Sequence, residues 1–397
     1  MREDLNKIFD SVPVVNTHSH HRPDEEQAAM DLTSLLETTY IGEEWTGQAA
    51  PKKADEVPEW LSHIGTRSYF IWLQKAMQEL FEISEPLSET SFDRYQEAVI
   101  KTHRTPEWRL NVLREKCRYT SILVDAFWEP GSDLGHPDLM TPAFRANSFL
   151  FSCSPETLDH NGNNAQQLYG KGKEFRDLGD YVSLMRDVIA QKKGEGCVSV
   201  KIPMAYDGSL AVGVADAKLA QEALLTSTEE NAEAFRSYIF REICDICAQE
   251  DLPLQIHTGL GKIRHSNAMG LRDVIYDKPE TKFVLMHGSY PWSDDYCALI
   301  HNCHNVYADI CWMPLISPAR AADVLREILD ICDPRHLTWG CDTWTCEESY
   351  GALLAMRSVL VRTLEAKIRE DGWNADMAGM LIRNIMYRNA TELYGVR

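Results

Sequence analysis

Short apolar runs rich in β-branched residues recur along the chain, each separated from the next by a longer amphipathic stretch. Eight of these runs read as strands: residues 12–18, 119–125, 144–150, 197–203, 252–258, 282–288, 305–310 and 336–342. The stretches between them carry helical spacing. In 229–250, for example, Phe235, Ile239, Ile243 and Ile246 fall on one face of a helix. Eight strands alternating with helices predict a (β/α)₈ barrel, an α/β fold that forms one domain at this length, here spanning 1–397. One connection breaks the rhythm, because about 90 residues separate the first two strands, far more than an ordinary βα loop. This segment holds Trp45, Trp60, Tyr69, Phe70 and Trp72, with helical patterning strongest over 66–81. Residues 22–114 are therefore expected to form a helical cap over the C-terminal mouth of the barrel. The same insertion is equally readable as an oligomerisation arm, which keeps a homo-oligomer open. The end of the chain, 371–397, reads as helix.

Composition narrows the partners. Lys+Arg 40 against Asp+Glu 60 gives a net charge of −20, a surface that repels phosphate backbones and anionic headgroups. Nucleic acid and membrane surfaces are set aside, and a small-molecule substrate is expected. The eleven cysteines are odd in number and scattered, unlike a disulfide framework. The first ten residues, MREDLNKIFD, lack the apolar stretch of a signal peptide, so a reduced, cytoplasmic setting is expected.

The strand ends carry the chemistry. The first strand runs into His18-Ser19-His20, and residues two apart on a strand point to the same side, so both imidazoles can face the barrel mouth. Two neutral imidazoles so placed are half a site for zinc or a similar ion. Lys201, His257, His287 and Asp342 close the fourth, fifth, sixth and eighth runs. Taken singly, His257 or His287 is more simply a core histidine bonded to a carbonyl. All of them at matching strand ends are harder to attribute to chance. Two tempting motifs carry less weight. Cys244 and Cys247 have zinc-finger spacing but lie in a helical run without a second pair, and Gly259-Leu-Gly261-Lys262 has the wrong spacing for a phosphate loop.

This pattern resembles the amidohydrolase superfamily. PLQIHTGLG (253–261), FVLMHGSYPW (283–292), NVYADICW (305–312) and GCDTWTCEESY (340–350) are similar to a nodulin-related branch of the amidohydrolase-2 family. KIPMAY (201–206) and RSYFIWLQKAMQELF (67–81) extend the likeness over nearly the whole chain. In that branch the domain occurs fused to glutamine-synthetase-like domains or standing alone.

The resemblance implies one or two divalent ions, zinc or else manganese. With two, a carbamylated Lys201 would bridge an ion on His18, His20 and Asp342 and another on His257 and His287. With one, the ligands are His18, His20, His257 and Asp342, while Lys201 stays an ammonium and His287 bonds the water or the substrate. The cost of a buried ammonium beside a dication favours the bridge. Asp342 is the expected proton acceptor. Arg145, Tyr206, Arg264 and Trp292 are the expected substrate contacts, since arginine matches a carboxylate with a planar fork. The resulting expectation is a metal-dependent hydrolase of an amide, lactone or related bond in a small, carboxylated molecule. The alternatives are uronate isomerisation or non-oxidative decarboxylation on the same metal site, or a barrel without catalysis.

Overall fold

The computed structural model describes residues 1–396. Eight parallel strands lie in sequential order: β1 (Val14–Ser19), β2 (Tyr119–Val124), β3 (Met140–Arg145), β4 (Ser199–Ile202), β5 (Leu254–Ile256), β6 (Phe283–Leu285), β7 (Val306–Asp309) and β8 (Leu337–Thr338). Three backbone hydrogen bonds knit β8 and its extension back to β1: Thr17 N–H to the Trp339 carbonyl at 3.3 Å, Asp342 N–H to His18 at 2.9 Å and His20 N–H to Thr343 at 2.9 Å. The expected (β/α)₈ barrel is thus the observed fold. The strands are buried on both faces, which is why they read as continuous apolar runs rather than as alternating patterns.

Helices cover the outside. The long helix Glu229–Gln249 starts at a capping box, where Thr228 Oγ1 accepts from Asn231 N–H and the Asn231 side chain accepts from Thr228 N–H at 2.7 Å. Cys244 and Cys247 are buried packing residues of this helix. The third strand differs from expectation. The run 144–150 is not one strand: β3 ends at Arg145, and Asn147–Phe151 turns into a short helix. Both pieces are buried, so the apolar run continues unbroken across the change from strand to helix. The expected C-terminal helix is two, Ala375–Arg383 and Asn389–Tyr394, joined by a wider helical turn, while Arg397 lies outside the described residues.

Between β1 and β2 lie seven α-helices, from Asp24–Ala28 to Pro106–Asn111. They include Ser68–Phe81, close to the expected 66–81, and they enclose a cluster of their own around Leu35, Trp60, Ile64, Phe70, Met77 and Tyr95. Among the described residues no helix is long and apolar enough to cross a membrane.

A buried ion pair ties this segment to the barrel. On the helix Phe92–His103, His103 directs Nδ1 to the Gln27 carbonyl and Nε2 to Glu347 Oε1, both at 2.8 Å. Both ring nitrogens face acceptors, so the protonated imidazole fits. Burial alone would lower the His103 pKa, but the Glu347 carboxylate outweighs it and the value is raised. Burial likewise opposes ionisation of Glu347, yet His103 holds its carboxyl below the ordinary 4.5. The contribution of His103 is complete below its ordinary 6.5 and is lost as pH rises through the raised value. The contribution of Glu347 is complete above 4.5 and is lost as pH falls through the lowered value. Removing one partner of a buried pair costs about 3–5 kcal/mol. His103→Ala should therefore destabilise the protein most between about pH 4.5 and 6.5, with a smaller penalty at pH 9, as read by denaturant unfolding across pH.

Candidate metal centre and substrate cavity

Barrel closure brings β1 against the residues that follow β8, and with them the two imidazoles and the carboxylate singled out by sequence. His18 Nε2 and His20 Nε2 lie 3.3 and 3.2 Å from the same oxygen, Asp342 Oδ1. His20 Nδ1 is 2.8 Å from the backbone carbonyl of Asp125, to which it donates, so in the neutral ring the lone pair sits on Nε2 and faces Asp342. Asp342 Oδ1 is buried and has no hydrogen-bond donor. His287 Nδ1 donates to the Cys311 carbonyl at 3.2 Å, leaving a buried Nε2 without a partner, and its ring approaches Asp342 Oδ2 to 3.8 Å.

Electrostatics keep these groups in ligand form. Burial, and secondarily the charge of Lys201, push the His18 pKa down to about 3, while burial takes His287 down to about 4 and His257 well below its ordinary value. Burial opposes ionisation of Asp342, but the surrounding imidazoles hold its carboxyl well below the usual range. Buried imidazoles and a carboxylate converging on one point are the donor set that suits a divalent cation such as zinc.

The other two candidates stand differently. His257 lines the same cavity and packs against the His287 ring at 4.4 Å, but its Nε2 donates to the Leu260 carbonyl. Lys201, 1% exposed, places Nζ 2.8 Å from Met286 Sδ and 3.5 Å from His18 Nε2. No carboxylate pairs with it, and burial lowers its pKa.

The backbone at this rim is strained. His287, Trp312 and Asp342, which follow β6, β7 and β8, all adopt left-handed conformations (φ 65°, 63° and 57°) that cost a non-glycine residue about 1–3 kcal/mol each.

Above the cluster is a cavity of about 350 Å³. Asp125, Arg145, Lys201 and Tyr206 line one part, and Tyr40, Trp45, Phe127 and Trp344 line another. Tyr40 and Trp45 come from the segment between β1 and β2, and Glu348 fixes Tyr40 and Trp344 by accepting both backbone N–H groups at 2.9 and 3.3 Å. Arg145 is 6% exposed, pairs with Asp125 through Nη1, and has a buried Nε without a partner. Two expected substrate contacts lie elsewhere. Arg264 is exposed on the turn after β5, and Trp292 is half-buried at the start of the helix Ser293–Asn302; neither lines the cavity. Spacing beyond a strand end does not fix which way a turn residue points.

Sequence reading missed three residues. Asp125 has a carboxylate oxygen within 4.8 Å of the ligand atoms of His18 and His20, and Cys311 stands in the same relation to His287 and Asp342. Asp125 closed the second predicted strand just as Asp342 closed the eighth, which was the signal available for it. His160, in the loop after β3, also lines the cavity, and nothing in its sequence neighbourhood announced it.

Gly340 shows how tightly the ligand strands are coupled. A Cβ there would meet His18 N at 2.6 Å and Thr17 Oγ1 at 2.7 Å, and the first of these is backbone that cannot move without shifting β1. Gly340→Ala should cost about 1–3 kcal/mol of stability, as expected for overpacking, and should lower metal content although no ligand is removed. Unfolding curves and elemental analysis check both effects.

Comparison with known proteins agrees with this geometry. Residues 213–396 match the family model described as amidohydrolase. Protein fluG of Emericella nidulans is 30% identical over 154 residues, which cover 37% of this chain and 18% of that protein's length. Among solved structures, glucuronate isomerase from Caulobacter crescentus superposes with a TM-score of 0.78 at 15% identity, covering 99% of this chain and 93% of that one. A proposed metal-dependent hydrolase from Lactobacillus casei gives 0.71 at 16% identity, covering 98% and 97%. At such identities the structural likeness concerns the fold alone, while the sequence match likens residues 213–396 to the amidohydrolase family.

Proposed function

We propose that the protein is a metal-dependent hydrolase that opens an amide, lactone or related bond of a small, carboxylated substrate. The observation that carries this reading is the convergence of His18, His20 and Asp342 on one buried point at the floor of the cavity. A divalent ion on these three residues, zinc by the chemistry of the donor set, would polarise a carbonyl and make water a nucleophile near neutral pH. One ion is favoured over a pair bridged by a carbamylated Lys201, because His257 Nε2 is committed to Leu260 and Lys201 Nζ packs on Met286 Sδ.

The remaining work falls to the chain's own side chains. Asp342 accepts the proton of the attacking water at a carboxylate oxygen. His287, whose buried Nε2 has no partner, is the candidate to bond the water or the substrate oxygen. Arg145, already oriented by Asp125, offers its fork to the substrate carboxylate, and Tyr206 stands beside it in the wall. Residues 22–114 act as a cap whose Tyr40 and Trp45 exclude water from the reacting end.

Asp342→Asn should leave metal bound, since the amide still offers an oxygen, but lower kcat at least about a hundredfold by removing the proton acceptor. His18→Ala should instead lose metal and activity together. The test is metal stoichiometry measured beside turnover in a panel of N-acyl amino acids, lactones and uronates. A near-native kcat in a metal-loaded Asp342→Asn enzyme would falsify the role given to Asp342. Conversion of uronates with no hydrolysis would replace the hydrolase by an isomerase on the same site.

A further inference from the structure

Hydrolysis of an amide or an unactivated ester leaves a nitrogen or oxygen that needs a proton to depart, and the ligand cluster accounts for the proton taken from water but not for this one. The cavity wall holds a second polar assembly, away from the ligand residues. His160 Nδ1 lies 2.5 Å from Asp207 Oδ2, and the His160 backbone N–H donates to Asp207 Oδ1 at 2.6 Å. Asn147 Nδ2 donates to the same carboxylate at 2.9 Å. On its other side, His160 Nε2 is 3.0 Å from Arg145 Nη2.

A guanidinium can only donate, so His160 Nε2 carries the lone pair and Nδ1 carries the proton directed at Asp207. The tautomer is fixed from both sides. The ring is also stacked on Tyr206, with centroids 5.0 Å apart, and its loop is braced by Asp159 Oδ1, which accepts from the backbone N–H groups of Asn161 and Asn163, both at 3.0 Å. An imidazole with Nδ1–H held by a carboxylate and Nε2 turned to a substrate cavity is the arrangement of a proton-transfer catalyst.

We propose that His160, oriented by Asp207, is the catalytic acid that protonates the leaving group. This rests on the hydrolase reading. Asp125, Arg145, His160 and Asp207 form one continuous chain of contacts along the wall. When a substrate carboxylate takes Arg145 Nη2, His160 Nε2 is released and takes up a proton from solvent. As the scissile C–N or C–O bond breaks, its electron pair stays on the departing atom and takes the proton from Nε2. His160 returns to the neutral tautomer seen here, and the proton that Asp342 removed from water restores the balance through solvent.

The role predicts a dependence on the leaving group. In the metal-loaded enzyme, His160→Gln should slow the unactivated amide or lactone found by the substrate panel at least about a hundredfold, the low end for a lost general acid. It should change hydrolysis of p-nitrophenyl acetate less than about threefold, because p-nitrophenolate leaves without a proton. Metal content should not change, and the p-nitrophenyl acetate rate shows that the variant is folded. Asp207→Asn should show the same split in milder form. In wild-type enzyme labelled with ¹⁵N-histidine, the resonances lost in His160→Gln should be those of an Nδ1–H tautomer, and Asp207→Asn should abolish that preference. Equal slowing of both classes of substrate, no slowing of either, or an Nε2–H tautomer in the wild type overturns the proposal. A wild-type enzyme that hydrolyses nothing in the panel overturns it together with the hydrolase reading, whereas the preceding outcomes overturn it alone.

Discussion

Everything at the functional end of this molecule depends on nitrogen and oxygen donors forced together at one buried point. His18, His20 and Asp342 meet because the barrel closes: the same hydrogen bonds that join β1 to the segment after β8 set the imidazoles against the carboxylate. In an apolar interior such a meeting is repulsive unless a cation occupies it or the groups change protonation. Burial keeps His18 and His287 neutral, the imidazoles keep Asp342 ionised, and the carbonyl of Asp125 fixes which nitrogen of His20 is free. The left-handed residues after β6, β7 and β8 are conformational strain held in place by the packed barrel beneath them.

The cavity divides its labour along the same lines. Its floor gathers neutral and anionic donors, suited to a cation. Its wall gathers Arg145, stapled between Asp125 and the His160–Asp207 pair, suited to a substrate anion. The helical segment supplies aromatic surface and is fastened to the barrel by the His103–Glu347 pair, whose barrel partner adjoins Glu348, the residue that holds Tyr40 and Trp344 in the wall. Helical segment, wall and floor are thus joined by buried contacts, on the loops that a barrel uses for function while its strands supply stability.

Much of this was legible in the sequence, for identifiable reasons. Strand ends could be read because a fully buried strand is an uninterrupted apolar run, and a polar residue closing it stands out, as His257 and Asp342 do. The same property blurred β3, where buried strand and buried helix abut and only the change of backbone conformation after Arg145 separates them. Arg145 stands near the start of the predicted run but closes the observed strand, so its position at the C-terminal end came from the fold rather than from the pattern. Arg264 and Trp292 fall outside the cavity lining because a turn residue's direction is set by tertiary packing rather than by distance from a strand. His160 was invisible for a related reason. Its partners Arg145 and Asp207 come from the end of β3 and from the connection after β4, 15 and 47 residues away, and no local pattern records a meeting of that kind.

The most direct test of the account is a titration of chelator-treated protein with zinc, following heat of binding and thermal unfolding together, with His18→Ala as the control. The account predicts one equivalent bound and a marked rise in Tm, corresponding to about 2.7 kcal/mol when free zinc is a hundredfold above Kd, with both effects absent in His18→Ala. No binding by the wild type, or equal binding and stabilisation in His18→Ala, would contradict it.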